Sequence, residues 1–165
     1  IMTQKILDDN ELRILFKKIN SIVMIGVSAS PLRASYFVAR YFVLRGISVI
    51  PINPNYEGKK LWGEKVLGKI SDIDPDKRVD LIDVFRPSKE VPNIVEDTVK
   101  YLKPLGCKTV WMQIGIKNNK AALIAKKNGM NVIMDKCPKI ENQRLFGELR
   151  VAGFNTRIIS SKIDL

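Results

Sequence analysis

Residues 22–30 read Ile22-Val23-Met24-Ile25-Gly26-Val27-Ser28-Ala29-Ser30, and this stretch decides the fold. Its first part is apolar without alternation, as in a strand covered on both faces rather than one. It then breaks into glycine and small hydroxyl residues, the composition of a tight turn into a helix. Working outward from Ile22–Val27, four more compact apolar segments follow at Ser48–Ile52, Leu81–Phe85, Thr109–Met112 and Asn131–Met134. Helical spacing fills most of the gaps. Ser35 is placed to cap a helix carrying Phe37, Val38, Tyr41, Phe42 and Leu44, stopped by Gly46. A second helix carries Ile94, Val95, Val99 and Leu102 before Pro104 and Gly106. A third follows Asn118-Asn119 and stops at Gly129. Strand–helix alternation predicts an α/β fold: a Rossmann-like open parallel five-stranded sheet with helices on both faces.

Three regions follow. Residues 1–20 are expected to form an N-terminal amphipathic helix packed on the domain, opened by Asp9-Asn10-Glu11 and carrying Leu12, Leu15, Phe16 and Ile19. Residues 21–146 form the domain itself. Residues 147–165 read as a tail with a short strand at Arg157–Ile159. Between Tyr56 and Arg78 the chain is rich in Gly and Lys, and only a helical turn near Ser71–Ile73 is expected.

At 165 residues the chain is long enough to bury about two-thirds of its unfolded surface, so it needs no disulfide or metal to fold. Histidine is absent. This excludes a His general base, a Ser-His or Cys-His nucleophile pair and a His metal ligand. Two cysteines are too few for a thiolate zinc site, and they read as free thiols of a cytoplasmic protein. No apolar run is long enough to span a bilayer. No leader pattern precedes the first helix, and Ile1 before Met2 reads as a remnant or clipped start. The net charge is +11, unevenly spread. Residues 1–97 carry 15 basic and 13 acidic groups, residues 98–165 carry 13 and 4. A basic half attracts polyanions: nucleic acid, acidic membrane or a multiply phosphorylated small molecule. It equally suits a solvated lysine-rich surface.

In an open parallel sheet the carboxyl ends of all strands reach one rim, and ligands bind there where the strand order reverses. The five apolar runs are followed by Gly26-Val27-Ser28-Ala29-Ser30, Asn53-Pro54-Asn55, Arg86-Pro87-Ser88, Gln113-Ile114-Gly115 and Asp135-Lys136-Cys137-Pro138. The first loop is the phosphate candidate. Gly26 permits close backbone approach, Ser28 and Ser30 supply hydroxyls, Arg33 supplies charge, and a helix N-terminus follows. A plain strand-to-helix turn has the same composition. The G-x-G-x-x-G fingerprint of dinucleotide sites is missing. So is the acidic residue after the second strand that holds a nicotinamide cofactor's ribose. Gly63–Ile70 approaches a P-loop, but ends in Ile70 where Ser or Thr must hold magnesium. Asp83 inside an apolar strand needs a partner, an arginine or a neighbouring helix end.

These motifs, in this order, resemble a known family. Gly26-Val27-Ser28, Asn53-Pro54, Val84-Phe85-Arg86, Trp111-Met112-Gln113-Ile114-Gly115 and Asp135-Lys136-Cys137 are similar to the stand-alone CoA-binding proteins. Those in turn resemble the CoA-binding Rossmann-like domain of the succinyl-CoA synthetase α subunit. The resemblance covers residues 20–146. It implies CoA as ligand, held by Gly26, Val27, Ser28, Asn53, Pro54, Phe85, Arg86, Gln113, Gly115 and Cys137, and the reading of the first loop and helix start adds Ser30, Arg33 and Ser35. It implies no reaction, and a non-catalytic carrier, sensor or regulatory role is expected. Arg40, Lys59 and Lys60 are further candidates to face CoA's phosphates. CoA or an acyl-CoA is the expected partner, and a homodimer or docking to another protein stays open. The rival readings are a nucleotide-dependent oxidoreductase on the same fold and a basic nucleic-acid-binding module. Cys137, ahead of Pro138 and Glu141, is expected at a helix N-cap, where the dipole favours thiolate and a mixed disulfide with CoA. Cys107 and Cys137 flank different strands at opposite rims, too far apart to bridge.

Overall fold

The computed structural model describes residues 6–148. Helix α1 (Asp9–Lys18) is capped by Asp8, one residue before the acidic start expected from sequence. The Asp8 carboxylate accepts from Glu11 N at 2.8 Å, and the Glu11 carboxylate accepts from Asp8 N at 2.9 Å. This reciprocal box satisfies two otherwise orphaned donors. Strand β1 (Ser21–Ile25) follows, then α2 (Ala34–Leu44) and β2 (Ser48–Ile52). The segment after β2 is more ordered than its composition predicts. It forms a two-residue antiparallel hairpin, β3 (Lys60–Leu61) with β4 (Glu64–Lys65), and a 3-10 turn at Ile70–Asp72. Then come β5 (Leu81–Val84), α3 (Val91–Asp97) continuing into a π-helical turn at Thr98–Leu102, β6 (Thr109–Met112), α4 (Asn119–Lys127), β7 (Asn131–Ile133) and α5 (Pro138–Leu145). Residues 149–165, with the strand expected at Arg157–Ile159, lie outside the described residues.

The sheet is five-stranded and parallel, in the order β2-β1-β5-β6-β7. Helices cover both faces, and the strands alternate between them. Val23, Ile82, Val84 and Val110 pack with Val91, Val95 and Ala121 of α3 and α4. Ile22, Met24, Leu81 and Trp111 pack with Leu12, Phe16, Val38, Phe42 and Leu145 of α1, α2 and α5. Both faces are therefore apolar, which is why the strand segments read as continuous runs. Pro51 sits in the edge strand β2, where a missing N–H is tolerated. The outer edge of β2 is partly closed by Leu67, whose N–H donates to Pro51 O and whose carbonyl accepts from Asn53 N.

Two expectations are corrected here. Ser35 does not cap α2: the cap is Arg33, without a side-chain bond, and Ser35 lies inside the first turn. Its Oγ instead accepts from Ser28 N at 2.9 Å, tying the loop to the helix. Asp83 neither meets an arginine nor caps a helix. It is fully buried, level with Met24 and Trp111, and its partner is Gln113.

Candidate functional site

The strand order reverses between β1 and β5, so the carboxyl ends of these two strands mark the crevice. Gly26 closes it. Its φ is +88°, and a Cβ there would lie 2.9 Å from Arg86 Cδ and 3.2 Å from the Phe85 carbonyl carbon and oxygen. Only glycine lets the two loops approach this closely. The loop from Gly26 to Ser35 is held by its own serines. Ser30 N donates to Ser28 Oγ at 3.0 Å, and Ser28 N to Ser35 Oγ. These hydroxyls shape the turn. Buried Asn53 reaches across from β2, its Nδ2 donating to the carbonyl of Val27 at 3.0 Å, while its Oδ1 accepts from Asn55 N. Pro54 begins a 3-10 turn that brings Tyr56 Oη to 3.4 Å from Ser28 Oγ. Arg33 stands exposed at the α2 N-cap, and Lys59 and Lys60 are exposed on and beside the hairpin.

Beneath this rim, on the α3 face, lies a cavity of about 350 Å³. Its walls include Gly26, Asn53, Ile70, Arg86, Glu90 and Ile94. Arg86 is engaged there. Its Nη2 donates to Glu90 Oε1 at 3.1 Å, with both side chains 39% exposed. Thus Gly26, Val27, Ser28, Ser30, Arg33, Ser35, Asn53, Pro54, Phe85 and Arg86 fall together around the switch point.

Gln113, Gly115 and Cys137 form a second group, at the ends of β6 and β7, and do not wall this cavity. With its amide nitrogen towards Asp83, Gln113 lies 3.2 and 3.3 Å from the two carboxyl oxygens. Gly115 N–H donates to Asp135 Oδ1 at 2.7 Å. Asp135 holds a left-handed backbone, φ +59°, a conformation Asp tolerates better than most residues. Burial pushes Asp83 well above the usual carboxylate range. Burial likewise pushes the Cys137 thiol up, even though Cys137 is the N-cap of α5. Desolvation outweighs the helix dipole, so the thiolate expected from sequence is not favoured. Cys107 lies at the other rim, equally buried, its thiol pushed to about 12.

Sequence reasoning missed Tyr56 and Glu90. The i,i+4 spacing of Arg86 and Glu90 was the available signal, but the helical segment begins at Ser88, earlier than the apolar stripe suggests. Among the described residues no group of three or more His, Cys, Asp or Glu side chains is placed to hold a metal, and no helix is long and apolar enough to cross a membrane.

Residues 20–143 match the model of a family described as CoA binding domain. The chain belongs to this family. Among relatives of this CoA-binding-domain chain, the uncharacterized protein YneT of Bacillus subtilis (strain 168) is 29% identical over 130 residues, covering 79% of this chain and 90% of YneT. A solved structure from Thermus thermophilus, cell-free ID.343, superposes with a TM-score of 0.78 at 31% identity, covering 85% of this chain and all of the other. The apo form of the dinucleotide-forming acetyl-coenzyme A synthetase 1 of Ca. Korarchaeum cryptofilum is similar at 25% identity and a TM-score of 0.51. That match covers 68% of this chain but 25% of the synthetase chain. The resemblance read from the five motifs is thus borne out at the level of family and fold.

Proposed function

We propose that this protein binds CoA or an acyl-CoA at the carboxyl rim of its sheet, and that it acts as a carrier, sensor or regulatory element rather than as a catalyst. The observation that carries this is the closure of Gly26 against Phe85 and Arg86 at the strand-order reversal, beside the N-terminus of α2. That arrangement sets the Gly26–Ser35 backbone and the exposed Arg33 at one edge, where a pyrophosphate finds N–H groups and guanidinium charge. Membership of a CoA-binding domain family supports the choice of ligand. The oxidoreductase reading has less support. The residue after β2 is Asn53, and both ends of its amide are spent on the backbone. It offers no carboxylate for a ribose diol.

Thermal melts with CoA, NAD and ATP test the reading. A ligand that binds only the folded state raises the midpoint with concentration, by about 2.7 kcal/mol of stability at a hundred times Kd. CoA should raise it and NAD should not. Equal shifts with all three, or a shift with NAD alone, contradict the assignment.

A further inference from the structure

The walls of the cavity under Gly26 do not suit a phosphate. Two carboxylates, Glu90 and Asp97, line it, and they offset the two cations there, Lys69 and Arg86. Arg86 is already paired with Glu90. The rest of the wall is apolar or amide, with Ile25, Ile52, Ile70 and Ile94 beside Asn53 and Asn93. A polyanion placed among these groups would meet like charge at short range in a partly desolvated site, which is repulsive.

Glu90 adds a directional requirement. Its Oε1 accepts from Arg86 Nη2, but its Oε2 is shielded from solvent and has no well-directed donor in the structure. That oxygen lies 3.0 Å from the same Nη2, inside the ion pair but without an aligned hydrogen bond. Arg86 meets its charge, but its lone pairs are left without an aligned N–H, and a ligand N–H or O–H that reaches it supplies one. The oxygen belongs to a residue of the cavity wall, so such a donor can come from a ligand seated there.

We propose that the cavity receives an uncharged, hydrogen-bond-donating part of the ligand, with Glu90 Oε2 as its acceptor, while the ligand's phosphates stay outside on the loop from Gly26 to Ser35. Glu90 is then a specificity residue that reads the neutral part of a nucleotide-like molecule and turns its anionic part away. The inference rests on the CoA reading above. In CoA the required donors occur twice, on the adenosine and on the amides of the pantetheine arm.

The test is calorimetric titration of CoA into wild type, Glu90→Gln and Glu90→Ala at two salt concentrations, with thermal melts confirming that each variant is folded. The proposal predicts that CoA weakens about tenfold in Glu90→Gln and further in Glu90→Ala, the loss expected for a hydrogen bond to a charged acceptor. It also predicts an unchanged salt dependence, because the phosphate contacts are elsewhere. Tighter binding in Glu90→Gln with a steeper salt dependence would overturn it, since Glu90 would then compete with a phosphate for Arg86. Unchanged affinity would overturn it too, because Glu90 would then not touch the ligand. Competition by adenosine and by pantetheine in wild type and Glu90→Gln tells which donor is read: the fragment that loses potency in the variant is the one in the cavity. Absence of CoA binding to wild type would instead defeat the CoA reading itself, a result separate from any behaviour of Glu90.

Discussion

Asp83 is a carboxyl held in a place where a carboxylate is costly. It is fully buried in β5, and its polar neighbour is the Gln113 amide. Burial raises its pKa, so the folded protein holds a proton there that the unfolded chain releases above about pH 3.9. The unfolded state therefore binds fewer protons, and the contribution of this group to stability falls as pH rises from the unfolded value to the raised folded one. Urea unfolding across that range should show the decline in wild type. Asp83→Asn, which keeps the shape and the hydrogen-bonding capacity but cannot ionise, should flatten the curve and be the more stable form at its alkaline end. A constant deficit in Asp83→Asn at every pH would show that the carboxyl is needed for a contact rather than tolerated at a cost. Sequence identified Asp83 as a buried carboxyl in need of a partner. It did not identify Gln113, because that pairing joins neighbouring strands and depends on register.

Among the elements, legibility followed the length of the periodic signal. Each of the five sheet strands was read within two residues of its observed ends, because a strand covered on both faces leaves an unbroken apolar run bounded by turn residues. The hairpin of β3 and β4 was not read. Two residues per strand carry no periodicity, and the turn runs through Trp62 at φ +51°, a conformation that sequence assigns to glycine first. Trp62 holds it while its ring packs on Tyr36, with centroids 5.0 Å apart. Ser35 misled for a related reason: serine at a helix start is normally a cap, and here its Oγ serves the preceding loop. Helix α1 was read from its stripe of Leu12 and Phe16, both buried, with Phe16 5.7 Å from the Trp111 ring centroid. Because α1 packs on the core, its cap should be felt by the whole protein. Asp8→Ala should lower global stability by about 1 kcal/mol in a single transition. Early loss of helix signal with an unchanged main transition would mean that α1 unfolds independently of the sheet.

At the scale of the molecule, the two rims of the sheet are built differently, and this is why the proposed CoA site is assigned to the carboxyl rim. At the amino rim a groove of about 350 Å³ runs between α1 and the strand starts. Its central carboxylate, Asp80, is committed to structure: it accepts from Asn20 N and Ser21 N at 2.7 and 3.1 Å and pairs with Arg78 at 2.9 Å. At the carboxyl rim the strand order reverses, Gly26 admits close approach, and the Glu90 oxygen lacks a well-directed donor. The most direct measurement is a map of backbone amide chemical shifts during titration with CoA. The largest changes should fall on residues 26–35, 53–56 and 85–90, with the amino-rim residues 15–21 and 106–109 unmoved. Changes concentrated at the amino rim, or none at saturating CoA, would contradict a CoA site at the strand-order reversal.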